Sequence, residues 1–373
     1  MRIVVLGAGA WGTALAISLA GQHDVTLWAR DPAQAAAMQE ARRNRRYLSD
    51  VAFPDNLAVS ADLQGALKTA ELLIVAVPVS GLRATLQEIA GHFPLSNFPP
   101  AIPSPQSSPA SGRGSKRERQ SSISAGERSN GDGIVEFPGV IWLCKGFETE
   151  TSLLPHQIVR EILPAAFPCG ALSGPSFAQE VARGLPTALT LASADAGFAQ
   201  QMAHALHHSR LRIYSCTDVV GVEIGGAIKN VLAIAAGISD GMQMGMNARA
   251  ALLTRGLAEM SRLGLKLGGR TETLGGLSGV GDLILTCTGD LSRNRQVGML
   301  LARHQSLPNI LKELGHVAEG VYTAREVQGI AARNQVEMPI CAAVYRVLYE
   351  QLPADKAVEM LLSRAPGEEF SGG

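Results

Sequence analysis

Lys229 is the lone cation in the apolar run "IGGAIKNVLAIA", and between Gly221 and Ile238 the only other charged side chain is Glu223. Burial disfavours an ammonium ion, lowers its pKa toward working pH, and so makes a lysine able to give and take protons. Two blander arrangements stay open: Lys229 snorkels to solvent, or it pairs with Glu223. Gly225 and Gly226 on the preceding turn imply that something large approaches this face.

Other polar residues gather in the same half of the chain. "LGGLSGVGDLILTCTGDLSRNRQVG" holds Gly279 and Gly281, which mimic the start of a dinucleotide fingerprint without its third glycine or leading strand. It reads as a loop between helices that carries Asp282, a carboxylate that either caps "LILTCT" or steadies a catalytic lysine. Next, "LSRNR" sets Ser292, Arg293, Asn294 and Arg295 together. A guanidinium fork matches phosphate or carboxylate oxygens and an amide adds a donor, though Ser292 could equally cap a helix. Upstream, "LCKGF" places Lys145 at a strand end, where ligands of α/β sheets bind. In "LSGPSFAQE", Ser176 and Gln179 have capping-box spacing. His204, His207 and His208 have no acidic ligand at metal spacing, and no metal is expected.

At the N-terminus, "IVVLGAGAWGTALAISLA" gives Gly7, Gly9 and Gly12 as G-x-G-x-x-G between a strand and a helix. That context predicts a dinucleotide cradle: a tight turn at Gly7, pyrophosphate approach at Gly9, close helix packing at Gly12, and free N–H groups at the helix start. The second strand, "DVTLWARDP", ends where an acidic residue would bond the 2′-hydroxyl of NAD and Arg30 could pair with the 2′-phosphate of NADP; Asp31 is adjacent, but before Pro32 it could simply cap the next helix. NADP(H) is therefore favoured, with NAD(H) as the alternative. The four arginines of "ARRNRRYLSD" read as a solvated helix face.

The elements that must position these groups divide the chain. "RIVVLGAG", "DVTLWAR", "LLIVAVP", "GVIWLCKG", "CGALSG" and "TALTLAS" are short apolar runs separated by helical stretches, the pattern of a parallel sheet covered on both faces. The expected class is α/β: a Rossmann-type doubly wound sheet domain over residues 1–215, followed by an all-helical substrate and catalytic domain over 216–373. "NARAALLTRGLAEMSRLGLKL" and "CAAVYRVLYEQL" have helical apolar spacing. Residues 95–137 are rich in proline, serine and glycine with few aromatics, the composition of a disordered insertion.

Composition limits the rest. The 373 residues are 46% hydrophobic and 18% charged with zero formal net charge, so no global field attracts nucleic acid. Five scattered cysteines form no CxxC pair and read as reduced thiols. "MRIVVLGAG" begins a strand at once, so no leader and a cytoplasmic protein are expected. Residues 221–238 approach membrane-spanning length, but four glycines and a central Lys-Asn pair favour a buried helix over membrane insertion.

GAGAWG, "CKGFETET", "LSGPSFAQEVARGLPTA", "GGAIKNVLAIAAGISDGMQMGMNARAALLTRGLAEMSRLG", "GVGDLILTCTGDLSRNR" and "HVAEGVYTAREV" together resemble bacterial NAD(P)-dependent glycerol-3-phosphate dehydrogenases from end to end. The resemblance implies that Lys229 is the proton acceptor of sn-glycerol 3-phosphate oxidation and the donor of dihydroxyacetone phosphate reduction. It assigns substrate contacts to Lys145, Gly174, Ser176, Lys229, Asp282, Ser292, Arg293 and Asn294, with Arg293 the phosphate fork. Cofactor contacts fall on Ala10, Trp11, Arg30, Lys145, Ala178, Arg293, Val317 and Glu319. Under this reading Gly225 and Gly226 give clearance for substrate and nicotinamide. Residues 94–138 have no counterpart, and deleting 98–134 is expected to leave activity intact. A β-hydroxyacid dehydrogenase with a helix-borne lysine and a non-catalytic dinucleotide sensor are the alternatives. Oligomeric state is not legible in the sequence, although the apolar helices of the second half are compatible with a homodimer.

Overall fold

The structure, a computed structural model, describes residues 1–92, 139–315 and 318–364. The expected insertion at 95–137 and Val317 lie outside the described residues.

The six expected strands form: β1 (Arg2–Leu6), β2 (Asp24–Trp28), β6 (Leu72–Val75), β7 (Gly139–Trp142), β8 (Cys169–Ser173) and β9 (Thr187–Ala192). A hairpin of β3 (Arg43–Asn44) and β4 (Leu48–Ala52), an edge strand β5 (Ala58–Ser60), and β10 (Leu211–Cys216) are additions. The main sheet runs β10-β9-β8-β7-β6-β1-β2-β5. Its order reverses between β1 and β6, and that switch point opens the crevice where the glycine turn after β1 lies. The parallel expectation fails at one ladder: β8 and β9 are antiparallel, pairing Ala171 with Ala192 and Ser173 with Thr190. Only residues 174–186 join them, with a helix of five residues, which returns the chain without a full parallel crossover. β10 alternates buried and exposed residues, a half-solvated edge rather than an apolar run.

The arginine run is not a helix face. Helix Pro32–Ala41 ends at Arg42, which takes a left-handed φ of 48°, and its guanidinium donates to the carbonyls of Leu57, Pro54 and Asp55. The remaining arginines enter the β3–β4 hairpin.

Beyond β10 the chain is helical, and helix Val219–Gly241 forms its axis with every residue from Gly221 to Ser239 buried. A helix apolar on all sides belongs in a core, and 89% of its most apolar window is packed inside the molecule. It crosses helix Arg293–Leu301 backbone against backbone: a Cβ at Gly237 would lie 2.0 Å from the Arg295 carbonyl, and one at Gly298 2.0 Å from that of Ile234. That contact fixes the start of "RNR" beside the central helix.

Candidate active site

The glycine turn is shaped by backbone contacts. Gly7 has φ +119°, and a Cβ there would lie 2.7 Å from the Ala76 carbonyl oxygen; at Gly12 one would lie 2.1 Å from the Gly7 oxygen. Around a Cβ at Gly9 there is nothing within 4 Å. Gly7 and Gly12 are thus fixed by packing, whereas Gly9 borders open space at the N-terminus of helix Ala10–Ala20, whose cap uses no side chain. Free first-turn N–H groups beside an uncrowded glycine fit a pyrophosphate. Asn44, buried in the hairpin, donates to the Ala8 carbonyl (3.0 Å) and to Thr13 Oγ1 (2.8 Å), and Gln34 also donates to Ala8 (3.2 Å). The hairpin therefore braces the cradle. Its signal in the sequence was a lone amide among arginines.

Ala10 and Trp11 are half-buried at the helix start, and Trp11 and Ala178 pack against the same small cluster of Ala14, Leu48, Val181 and Ala182. Arg30 is exposed just past β2 and has no hydrogen-bond partner among the described residues. Asp31 caps helix Pro32–Ala41, accepting from Ala33 N at 2.9 Å.

The second cluster forms where the strand ends meet the central helix. Lys229, 7% exposed, donates from Nζ to Asp282 Oδ1 (2.5 Å) and to Thr286 Oγ1 (2.9 Å). Lys145, three residues past β7, donates to the other oxygen, Oδ2, of Asp282 (2.6 Å) and to the carbonyl of Gly174 past β8 (3.3 Å). One buried carboxylate thus joins two lysines from the two halves of the fold. Both open alternatives for Lys229 fall: it does not reach solvent, and Glu223 is bonded instead to Trp142 and His156. Burial pushes the Lys229 pKa down to about 8, with Asp282 opposing and Lys145 assisting the shift.

Asp282 does not cap its helix; Gly281 is the cap and has no side-chain bond. It is delivered by a π-helical turn, Leu277–Gly281. A Cβ at Gly279 would lie 1.8 Å from the Leu274 oxygen, so this glycine serves packing. Gly225 and Gly226 give clearance to protein: a Cβ at 225 would lie 2.4 Å from the Ser278 carbonyl, and one at 226 would lie 3.3 Å from both Lys145 Cγ and Ser173 Oγ. They admit the Asp282 turn and the Lys145 stem, which corrects the expectation of ligand clearance.

Ser292 caps helix Arg293–Leu301, accepting from Arg295 N at 3.3 Å. Arg295 is buried against Asp240 (2.7 Å) and Asp290 (2.9 Å), but Arg293 is exposed with no partner among the described residues. Asn294 donates to Asn230 Oδ1 (3.0 Å) and accepts from Gly320 N (3.0 Å), tying the central helix to helix Glu319–Asn334. Burial raises the Glu319 pKa, and Arg293, Lys145 and Lys229 pull it back, so these four charges share one electrostatic neighbourhood. Ser176 Oγ donates to the Gly174 carbonyl (3.1 Å) and caps nothing, because helix Ala178–Ala182 starts at Phe177 without a side-chain cap. Thr286 and Asn230 are site residues that sequence reading missed. Each lies on the face of an already marked helix, four residues after Asp282 and one after Lys229.

Comparison with known proteins bears on the chain as a whole. The family description "NAD-dependent glycerol-3-phosphate dehydrogenase N-terminus" matches residues 2–98 and 132–199, and the corresponding C-terminus description matches 218–359. A glycerol-3-phosphate dehydrogenase [NAD(P)+] from Thiobacillus denitrificans is 55% identical over 99% of this chain and all of its own. One from Nitrosospira multiformis is 54% identical with the same coverage. The crystal structure of glycerol-3-phosphate dehydrogenase from Coxiella burnetii, 37% identical, superposes with a TM-score of 0.82 over 97% of this chain and 99% of that one.

Proposed function

The chain belongs to the NAD-dependent glycerol-3-phosphate dehydrogenase family, and from that premise we propose how its own residues carry out the reaction. The activity is interconversion of dihydroxyacetone phosphate and sn-glycerol 3-phosphate with NAD(P)(H), and the β-hydroxyacid and non-catalytic alternatives give way to it. The observation that carries the assignment of roles is that buried Lys229 and half-buried Lys145 share the buried carboxylate of Asp282.

A lysine ammonium has three N–H donors. On Lys229 two are taken by Asp282 and Thr286, and on Lys145 two are taken by Asp282 and Gly174, so each keeps one for a ligand. NAD(P)(H), which the glycine turn at Gly7, Gly9 and Gly12 would hold, would supply the hydride acceptor or donor for C2 of the substrate. Lys229 takes the hydroxyl proton in the oxidative direction and delivers a proton to the carbonyl oxygen in the reducing one. Lys145 stabilises the negative charge developing on that oxygen, in a site closed enough for electrostatics to count heavily. Arg293, exposed and without a partner among the described residues, binds the phosphate as a bidentate fork, with Ser176, Gly174, Ser292 and Asn294 completing the substrate contacts. Gly9, Ala10, Trp11, Ala178 and Glu319 line the cofactor side.

The guanidinium of Arg30, exposed and without a partner among the described residues, and the commitment of Asp31 to a cap support preference for NADP(H). The product serves phospholipid synthesis in the cytoplasm. Exposed Met246, Leu265, Met360 and Leu362 on the outer helices support a homodimer, checked by light scattering. Oxidation of NADPH and NADH with dihydroxyacetone phosphate, with Lys229→Ala as control, tests the roles. Near-normal kcat in that variant would remove Lys229 from proton transfer.

A further inference from the structure

Glu223 has no part in the chemistry just described, yet it is a buried carboxylate on the Lys229 helix with three donors on it. Its Oε1 accepts from Trp142 Nε1 (2.9 Å) and from the backbone N–H of His156 (2.9 Å), and its Oε2 from His156 Nδ1 (2.5 Å). An ionised carboxylate only accepts, so the histidine nitrogen carries the hydrogen. Trp142 is the last residue of β7, held between Val75 and Ala171, and Lys145 follows three residues later. His156 lies in the first turn of helix Pro155–Ile162, which Glu223 thereby caps from another element. Glu223 precedes Lys229 by six residues on one helix, about 9 Å along its axis.

We propose that Glu223 is a positioning residue for the reaction: it pins the Lys145-bearing strand end to the Lys229-bearing helix and so sets the placement of the two ammonium groups about Asp282. The inference rests on the roles proposed above for Lys229 and Lys145. Phe147 and Leu154 of the same segment join the apolar cluster of Ile224, Ala227 and Ile228, a non-directional contact, while two further polar anchors lead elsewhere. Glu148 pairs with Arg83 on helix Val79–His92, and Ser152 donates to Glu326 on helix Glu319–Asn334. Neither reaches the Lys229 helix. A buried carboxylate is costly unless its acceptor sites are met, and here they are met by groups of the very segment that must be registered. Truncating Glu223 leaves the Trp142 and His156 donors buried without their acceptor and lets strand and helix shift. Misplacement of reacting groups by about 1 Å costs on the order of 10²-fold in rate.

The test compares wild type, Glu223→Ala, Glu223→Gln and Lys229→Ala, each with cofactor deuterated at nicotinamide C4. Expected for Glu223→Ala is a kcat lower by about 10²-fold, a cofactor KM within about twofold of wild type, and a larger deuterium isotope effect on kcat, because the chemical step has slowed. Glu223→Gln, whose amide oxygen still accepts from Trp142 and the His156 N–H, recovers most of the rate. Should Glu223→Ala fail to fold, Trp142→Phe and His156→Ala carry the same measurement, with the same pattern at smaller amplitude. Folded variants with wild-type kcat and isotope effect, lowered only in thermal midpoint, would overturn the inference while leaving the Lys229 reading intact. An active Lys229→Ala would overturn both.

Discussion

The glycine cradle and the lysine seam lie at the same edge of the sheet, past the ends of parallel strands β1 and β7, but are made of different material. At the cradle the groups proposed to face the ligand are backbone N–H groups, and the side chains that matter are those that are missing, at Gly7, Gly9 and Gly12. At the seam the groups proposed to work are side chains, buried or half-buried, from distant parts of the chain: Lys145 lies 137 residues from Asp282, and Lys229 lies 53. A backbone site depends on local conformation and tolerates no added volume. A side-chain site depends on tertiary registration and tolerates no lost charge. Substitutions at the seam should therefore act on kcat, and those at the cradle on cofactor affinity and stability.

Lys229→Ala is the most severe break. Loss of the proton donor should lower kcat by about 10³-fold, within the usual range for general acid–base groups, with cofactor affinity retained. Steady-state kinetics with fluorescence titration of the cofactor separates the two. In wild type the reducing direction needs the protonated lysine, so kcat/KM for dihydroxyacetone phosphate should fall as pH rises through about 8. The oxidative direction needs the neutral amine and should rise over the same interval.

Asp282→Asn follows, with kcat lower by about 10²-fold, as expected when a group that orients the acid is neutralised. Because Asp282 holds the Lys229 pKa up, its removal should move the falling limb of the reducing profile to lower pH. An unmoved limb would mean that the lysine is tuned by burial and Lys145 without Asp282.

The same contrast explains how much could be read beforehand. G-x-G-x-x-G after an apolar strand is a local code for a local geometry, so the cradle and its flanking strands were legible. Lys229 was legible as an anomaly because a charge interrupts an apolar helix. Its partner was not: Asp282 looked equally like a cap, since the π-turn that swings it inward depends on Gly225 making room on another helix. Thr286 and Asn230 sit in ordinary helical contexts and acquire meaning only from what they face. The hairpin at Arg43–Ala52 was missed because its cause is Arg42, whose left-handed turn is stabilised by carbonyls 12 to 15 residues downstream.

At the cradle the effects should be smaller and divided between two readouts. Gly9→Ala adds a methyl group into open space, so the fold should stay intact while the cofactor KM rises by about tenfold through crowding of the pyrophosphate. Gly12→Ala puts its methyl group against the Gly7 carbonyl and should lower stability by about 1–3 kcal/mol. Thermal melts beside cofactor titrations distinguish them, and equal behaviour of the two variants would dissolve the distinction between packing and ligand glycines.

The smallest effect tests whether a buried charge matters for catalysis only at the seam. Glu259, 1% exposed on helix Gly245–Lys266, accepts from Ile340 N (2.7 Å) and Cys341 N (3.1 Å), capping helix Pro339–Tyr349. Burial raises its pKa to about 7 against the two backbone donors and Arg262. A carboxyl whose folded pKa exceeds its unfolded value of 4.5 contributes stability that is full below 4.5 and is lost as pH rises through about 7. The amplitude is about 3 kcal/mol at most, from roughly 1.4 kcal/mol per pKa unit. Glu259→Gln cannot titrate, so wild type should exceed it in Tm by several degrees more at pH 5.5 than at pH 8. Effects of acid shared by both proteins cancel in that difference. Because Glu259 touches none of the lysine cluster, kcat should be unchanged at either pH, whereas a parallel loss of kcat would join this helix cap to the catalytic seam.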